Sequence, residues 1–323
     1  MAINSKHLVD PALLRLLDFF PPLELNDDIL PAIRGRGSPA PVDDGGDGRE
    51  VDAAVGVGMR TIPGPDGAAE VGVVIHTPRG MQQPLPCVVH IHGGGFVLGS
   101  AAAMQVVHRK LAAAAGCVIV SVDYRLAPET RFPGAIEDCY AALAWVHREA
   151  AALGVDPARI GVMGESAGGC LAAALALLAR DRREYAVAFQ HLIYPMLDDR
   201  TCVHADPQPY AGEFLWTPLN NRFGWSSVLG VPPGSAGVSP YAAPARAGDL
   251  AGLPPAFISC GALDLLIEED LEYARRLMRS GVPVELHVYP GAFHGFDLSP
   301  DAPVAMDARR DSLAALRRSL KSA

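Results

Sequence analysis

Gly164-Glu165-Ser166-Ala167-Gly168-Gly169 sets a serine among glycines, directly after the apolar run Arg159-Ile160-Gly161-Val162-Met163 and directly before the alanine-rich stretch from Ala167 to Leu178. The first flank reads as a short buried strand and the second as a helix. The serine therefore falls on a sharp strand-to-helix turn. Such an elbow needs small neighbours two positions to either side, because a Cβ at Gly164 or Gly168 would collide with the adjoining backbone. In a chain with 33 glycines the bare pattern G-x-S-x-G can arise by chance, so its flanks carry the weight.

Outward from the elbow, strands and helices alternate. Strands are expected at Cys87–His92, Cys117–Asp123, Arg159–Met163, Phe189–Tyr194, Ala256–Cys260 and Val284–Tyr289. Helical patterns lie near Gln105–Ala115, Gly134–Leu153, Ala167–Leu178, Leu266–Ser280 and Met306–Leu320. Near-continuous apolar strands separated by helices indicate a mostly parallel central sheet covered on both faces, an α/β architecture. Upstream, Val51 to Thr61 and Ala69 to Thr77 flank Pro63-Gly64-Pro65-Asp66-Gly67, a hairpin signal that would add antiparallel edge strands. Before it, Ala12 to Phe20 has the period of an amphipathic helix, and Pro31 to Gly48 is rich in proline, glycine and aspartate. About sixty residues separate Tyr194 from Ala256, far beyond an ordinary strand-helix link. This insertion carries Tyr210, Phe214, Trp216, Phe223 and Trp225, suited either to covering a pocket or to forming the core of a small subdomain.

Half of the 323 residues are apolar and a fifth are charged, so a full core can be buried. A net charge of −9 without a lysine or arginine cluster argues against nucleic-acid partners and favours small or neutral ones. The six cysteines lack paired spacing and read as reduced thiols. Arg15 and Asp18 interrupt any signal-type core, and no apolar run is long enough to span a bilayer, so a cytoplasmic protein is expected.

A serine hydroxyl is a weak nucleophile, so Ser166 requires a base within hydrogen-bond reach and an acid to orient that base. On an elbow scaffold both follow the serine in sequence, on loops after later strands. Asp264 comes just after the Ala256–Cys260 strand and His294 just after Val284–Tyr289. Glu268, Glu269 and Asp270 compete for the acid but read as an acidic first helical turn. His76, His90, His108, His147, His191, His204 and His287 compete for the base, yet only His294 stands on a post-strand loop beside glycine. His92-Gly93-Gly94-Gly95 follows a strand and offers unhindered N–H groups which, with the N–H of Ala167, suit an oxyanion. A phosphate loop would need a glycine spacing that is missing, and His90 with His92 lacks a third metal ligand. Gly234-Ser235-Ala236-Gly237 has Pro233 where an elbow needs glycine, and Ser259-Cys260 lies inside a strand.

Taken together, His92-Gly93-Gly94-Gly95, Asp123-Tyr124-Arg125-Leu126-Ala127-Pro128-Glu129, the Gly-Glu-Ser-Ala-Gly-Gly elbow, Tyr194-Pro195 and the settings of Asp264 and His294 resemble the hormone-sensitive-lipase-like (bacterial family IV) carboxylesterases of the α/β-hydrolase superfamily. The likeness runs from about Pro84 to Phe296. It implies an α/β-hydrolase fold with a helical cap: residues 1–48 as the N-terminal part of the cap, 49–194 as the first part of the core, 195–250 as the cap insertion, and 251–323 as the second part of the core. It implies Ser166 as nucleophile, His294 as base and then acid, Asp264 as orienting carboxylate, and Gly93, Gly94 and Ala167 as oxyanion donors. Phe96, Phe214, Trp216 and Leu265 are candidates to line the substrate pocket. The expected activity is hydrolysis of short- to medium-chain acyl esters, without metal or other cofactor. The last strand and helix offer a surface for a homodimer. Leu265 stands where proline more often follows the acid, and Glu165 where aspartate is common. Hydrolysis of another acyl bond (an amide, or an acetyl ester of a larger substrate) and a non-catalytic ligand receptor on the same scaffold are the alternatives.

Overall fold

The computed structural model describes residues 4–35, 54–65, 69–82, 84–203 and 206–321. Residues 36–48 of the proline- and glycine-rich stretch, the start of the first expected strand at 51–53, Asp66 and Gly67 of the hairpin turn, and His204 lie outside them.

Eight strands form one sheet in the order β1-β2-β4-β3-β5-β6-β7-β8. They are β1 (Val55–Ile62), β2 (Val71–Pro78), β3 (Leu85–Ile91), β4 (Val118–Asp123), β5 (Val155–Glu165), β6 (Gln190–Ile193), β7 (Ala256–Gly261) and β8 (Val284–Tyr289). β1 pairs antiparallel with β2, and β2 antiparallel with β4; every later pairing is parallel. The expected hairpin thus supplies the antiparallel edge. β3 is buried at all seven positions, as a strand covered on both faces should be.

The helices are α1 (Leu14–Phe19), α2 (Leu30–Gly35), α3 (Gln105–Ala115), α4 (Gly134–Arg148), α5 (Ala150–Leu153), α6 (Ala167–Arg182), α7 (Pro218–Leu229), α8 (Ile267–Arg279) and α9 (Pro303–Ser319). The expected helix over 134–153 is two, broken at Glu149, and Gly154 in the left-handed conformation closes the second. The amphipathic N-terminal segment is a 3₁₀ turn, Pro11–Leu13, running into the short α1. α6 is buried from Ala167 to Ala179, and its alanines, glycines and leucines let it lie directly on the sheet beneath the elbow.

The chain runs from β3 to β4 on one side and then crosses to β5 on the other side of β3. The sheet therefore has its topological switch point between β3 and β5, where the carboxyl ends of two neighbouring strands diverge and leave a crevice. Gly93 follows one of these strands and Ser166 the other.

Candidate active site

Ser166 caps α6 with φ 56° and ψ −120°, a left-handed conformation that costs a non-glycine residue on the order of 1–3 kcal/mol and persists only where its surroundings enforce it. The enforcement is visible. The Ser166 N–H donates to the Ile193 carbonyl at 2.9 Å, and its carbonyl accepts from Met196 at 3.0 Å and Cys170 at 3.0 Å. A Cβ at Gly164 would overlap the Gly168 carbonyl, and one at Gly168 would overlap the Ile91 carbonyl, so both flanking glycines are required as the sequence reading anticipated.

The loops after β7 and β8 are stitched together by backbone hydrogen bonds from Ala262 to Tyr289 and from Leu263 to Ala292, each 2.9 Å. Gly261 permits this approach, because a Cβ there would overlap the Ala292 carbonyl. The stitching brings Asp264 under His294. His294 Nδ1 lies 2.8 Å from Asp264 Oδ2, and His294 Nε2 lies 2.9 Å from Ser166 Oγ. Asp264 is fully buried, and its other oxygen accepts from the Leu266 N–H at 3.0 Å. The three side chains singled out from the sequence thus form one continuous hydrogen-bonded chain. In this arrangement Nδ1 donates to the carboxylate, which leaves Nε2 free to accept the serine proton.

The competing acids stand in the first turn of α8, as the sequence reading had them. Glu268 is exposed, but Glu269 and Asp270 are buried, so they do more than complement the dipole of α8. Glu269 Oε1 accepts from the N–H groups of Leu197 at 2.6 Å and Asp198 at 3.3 Å, and Thr201 also bonds it. Burial and the neighbouring carboxylates push both Glu269 and Asp270 well above the usual carboxylate range.

On the opposite side, Gly93 packs so near the elbow that a Cβ would stand 2.9 Å from the Glu165 carbonyl. Among the described residues, no backbone carbonyl takes the N–H of Gly93, Gly94 or Ala167. His92 braces this loop: its Nδ1 donates to the Gly93 carbonyl at 2.8 Å and its ring stacks on Tyr124 at 4.3 Å. Arg125, in the same stretch, is tied to buried Asp138 through several bonds, the tightest 2.6 Å. His90, two residues earlier, meets Ser121 Oγ at 3.1 Å and both oxygens of Glu165 at 3.0 and 2.9 Å. The two histidines are thus committed to different partners, and the described residues hold no cluster able to bind a metal ion.

Of the proposed pocket residues, Trp216 has its ring 6.1 Å from that of His294. Phe214 packs on Phe293 at 5.5 Å, Leu265 lies against Gly212, and Phe96 is buried against Trp225. Sequence reasoning missed Tyr194. Its ring meets His294 edge-on at 4.7 Å, and its hydroxyl donates to half-buried Asp297 at 2.8 Å. The decoy Ser235 is half-buried, its hydroxyl donating to the Pro232 carbonyl.

This chain matches the family described as alpha/beta hydrolase fold over residues 88–298. It is 36% identical over 313 residues to carboxylesterase NlhH of Mycobacterium tuberculosis (strain CDC 1551 / Oshkosh), covering 97% of this chain and 96% of that one. It is 35% identical to esterase LipI of Mycobacterium tuberculosis (strain ATCC 25618 / H37Rv), with the same coverages of 97% and 96%. A solved structure named Bacterial Heroin Esterase superposes with a TM-score of 0.88 at 40% identity, covering 99% of this chain and 100% of that one.

Proposed function

The chain belongs to the alpha/beta hydrolase fold family and is a serine carboxylesterase, and we propose that it works through an acyl-enzyme on Ser166, with His294 as base and then acid and Asp264 as its orienting carboxylate. The observation that carries this reading is the unbroken chain from Ser166 Oγ to His294 Nε2 and from Nδ1 to Asp264, at 2.9 and 2.8 Å. Ser166 Oγ attacks the ester carbonyl while His294 takes its proton. The N–H groups of Gly93, Gly94 and Ala167 receive the oxyanion. His294 then protonates the departing alcohol, and water repeats the sequence on the acyl-enzyme.

The insertion from residue 195 to 250, with the N-terminal segment, acts as the cap of the core. Its tie to that segment supports this: Asn220 Oδ1 accepts from the Leu25 N–H at 2.8 Å, its Nδ2 donates to the Leu23 carbonyl at 2.9 Å, and Ser5 bonds Glu213. Short to medium acyl chains suit a site bounded by Trp216, Phe214 and Leu265. No helix of the described residues is long and apolar enough to cross a membrane. The six free thiols support a reducing, cytoplasmic setting.

Replacing Ser166 with alanine removes the nucleophile while leaving a smaller side chain on the same turn. On chromogenic esters of rising acyl length, run beside a matching anilide, kcat is expected to fall roughly 10⁶-fold with thermal stability intact. Turnover within tenfold of the unaltered protein would refute the assignment.

A further inference from the structure

The loop that presents Gly93 and Gly94 continues into Gly95 and Phe96, at φ 60° and 66°, and the insertion grips both residues. On one face of Gly95 lies the Trp216 indole, whose Cη2 occupies the place a Cβ would take. From α7, Gly224 approaches so closely that a Cβ there would stand 2.7 Å from the Gly95 carbonyl oxygen. Glycine in a helix interior is ordinarily unfavourable, so this backbone-to-backbone contact supplies a reason for it. The following residue, Trp225, is fully buried with its ring 5.1 Å from Phe96. Trp216 is fixed in turn, its Nε1 donating to Asn221 Oδ1 at 2.9 Å. The loop itself has little freedom, because the Gly94 carbonyl accepts from Val97 at 3.1 Å and Leu98 at 2.9 Å.

We propose that Trp216 and Gly224 are positioning residues for the oxyanion hole: they clamp Gly95 from the cap and thereby hold the Gly93 and Gly94 N–H groups on the carbonyl that Ser166 attacks. The inference rests on the esterase mechanism above and deepens it. A cap that swung free as a lid would have to release Gly95 at both contacts. The oxyanion hole and this part of the cap therefore move as one body.

Two variants test the clamp. Gly224→Ala adds a methyl against the Gly95 carbonyl, and Trp216→Phe withdraws ring atoms from Gly95 and loses the Asn221 bond. Both are assayed for kcat and KM on nitrophenyl esters from acetate to hexanoate, and for inhibition by phenylboronic acid. In that adduct Ser166 Oγ gives an electron pair to boron, its proton passes to His294, and one boron hydroxyl stands where the oxyanion would. Because loss of a whole donor costs about 10²- to 10³-fold in kcat, a displaced loop is expected to lower kcat roughly tenfold. Boronate affinity should weaken by the same factor in both, and for Gly224→Ala, which lies outside the pocket wall, KM and the acyl-length profile should be little changed. An unchanged kcat in a folded variant overturns the proposal. So does a loss confined to particular acyl lengths, which would make Trp216 a wall of the pocket only. If Gly224→Ala does not fold, as judged by thermal melting, Trp216→Phe decides. Gly94→Ala separates the two levels of the argument. If it leaves kcat unchanged, the assignment of the hole fails. If it impairs kcat while Gly224→Ala and Trp216→Phe do not, only the clamp fails.

Discussion

Ser166 stands between two sets of imidazoles built from the same residue type and put to different use. On one side His294 has both ring nitrogens engaged, one with a buried carboxylate and one with the serine hydroxyl. On the other side His76, His92 and His108 are buried around β2, β3 and α3 with no carboxylate on either ring nitrogen, next to His90, whose carboxylate partner is Glu165. The His108 ring lies 4.0 Å from that of His90 and 5.4 Å from that of His76, and among the described residues its nitrogens find no hydrogen-bond partner. Desolvation lowers His76 and His92 to about 4 and holds His108 well below the ordinary imidazole range. Under the proposed mechanism, a buried imidazole becomes useful as a base through its partners. A carboxylate on Nδ1 offsets the cost of the positive charge that forms on proton transfer. Without such a partner, burial keeps the ring neutral.

The comparison breaks most sharply at His294. His294→Ala is expected to lower kcat by roughly 10⁶-fold, and the double variant with Ser166→Ala by no more, because the two side chains act as one unit. Additive losses in that cycle would mean that the base assists Ser166 only in part. Asp264→Asn is expected to cost less, roughly 10⁴-fold in kcat, since the hydroxyl and imidazole remain but the tautomer and the imidazolium lose their support. A loss of less than tenfold there, measured with folding intact, would place the orienting charge elsewhere.

The candidate site was largely legible in the sequence because its residues sit at strand ends. β3, β7 and β8 lie within two residues of the bounds read from the sequence, β5 begins four residues earlier and ends two later than expected, and Gly93, Ser166, Asp264 and His294 each follow their strand within five residues. The cap helix α7 was not legible. Its buried face is Asn220, Asn221, Gly224, Trp225, Ser227 and Val228, so it is held by amide hydrogen bonds and a close backbone contact, with no apolar stripe to show a 3.6-residue period. The pairing of His90 with Glu165 was hidden for another reason. It joins two neighbouring strands across 75 residues, and nothing in either local pattern reports the register. Glu269 and Asp270 stand in the first turn of α8 as read, but their burial was not legible, because acidic residues there ordinarily face solvent.

The smallest expected effect lies on the silent side of the comparison and appears in stability, leaving turnover nearly untouched. An unfolded histidine takes up a proton as pH falls below about 6.5, whereas His76 and His92 resist protonation in the fold until about 4, and His108 to still lower pH. A lowered pKa in the folded state means that the unfolded chain binds more protons throughout that window. Each ring's contribution is therefore complete above pH 6.5 and is lost as the pH falls from 6.5 towards 4, by up to about 1.4 kcal/mol per pH unit for one group. His108→Leu removes one such proton from the balance and replaces a ring without hydrogen bonds by an apolar side chain of similar volume. At pH 8 its melting temperature should equal or exceed that of the unaltered protein, with kcat within about threefold. Between pH 6.5 and 4 its stability should decline less steeply, which chemical denaturation at a series of pH values measures directly. An identical slope for the two proteins would mean that His108 is already protonated within the fold. That would give it an unseen partner and erase the distinction between the two sets of imidazoles.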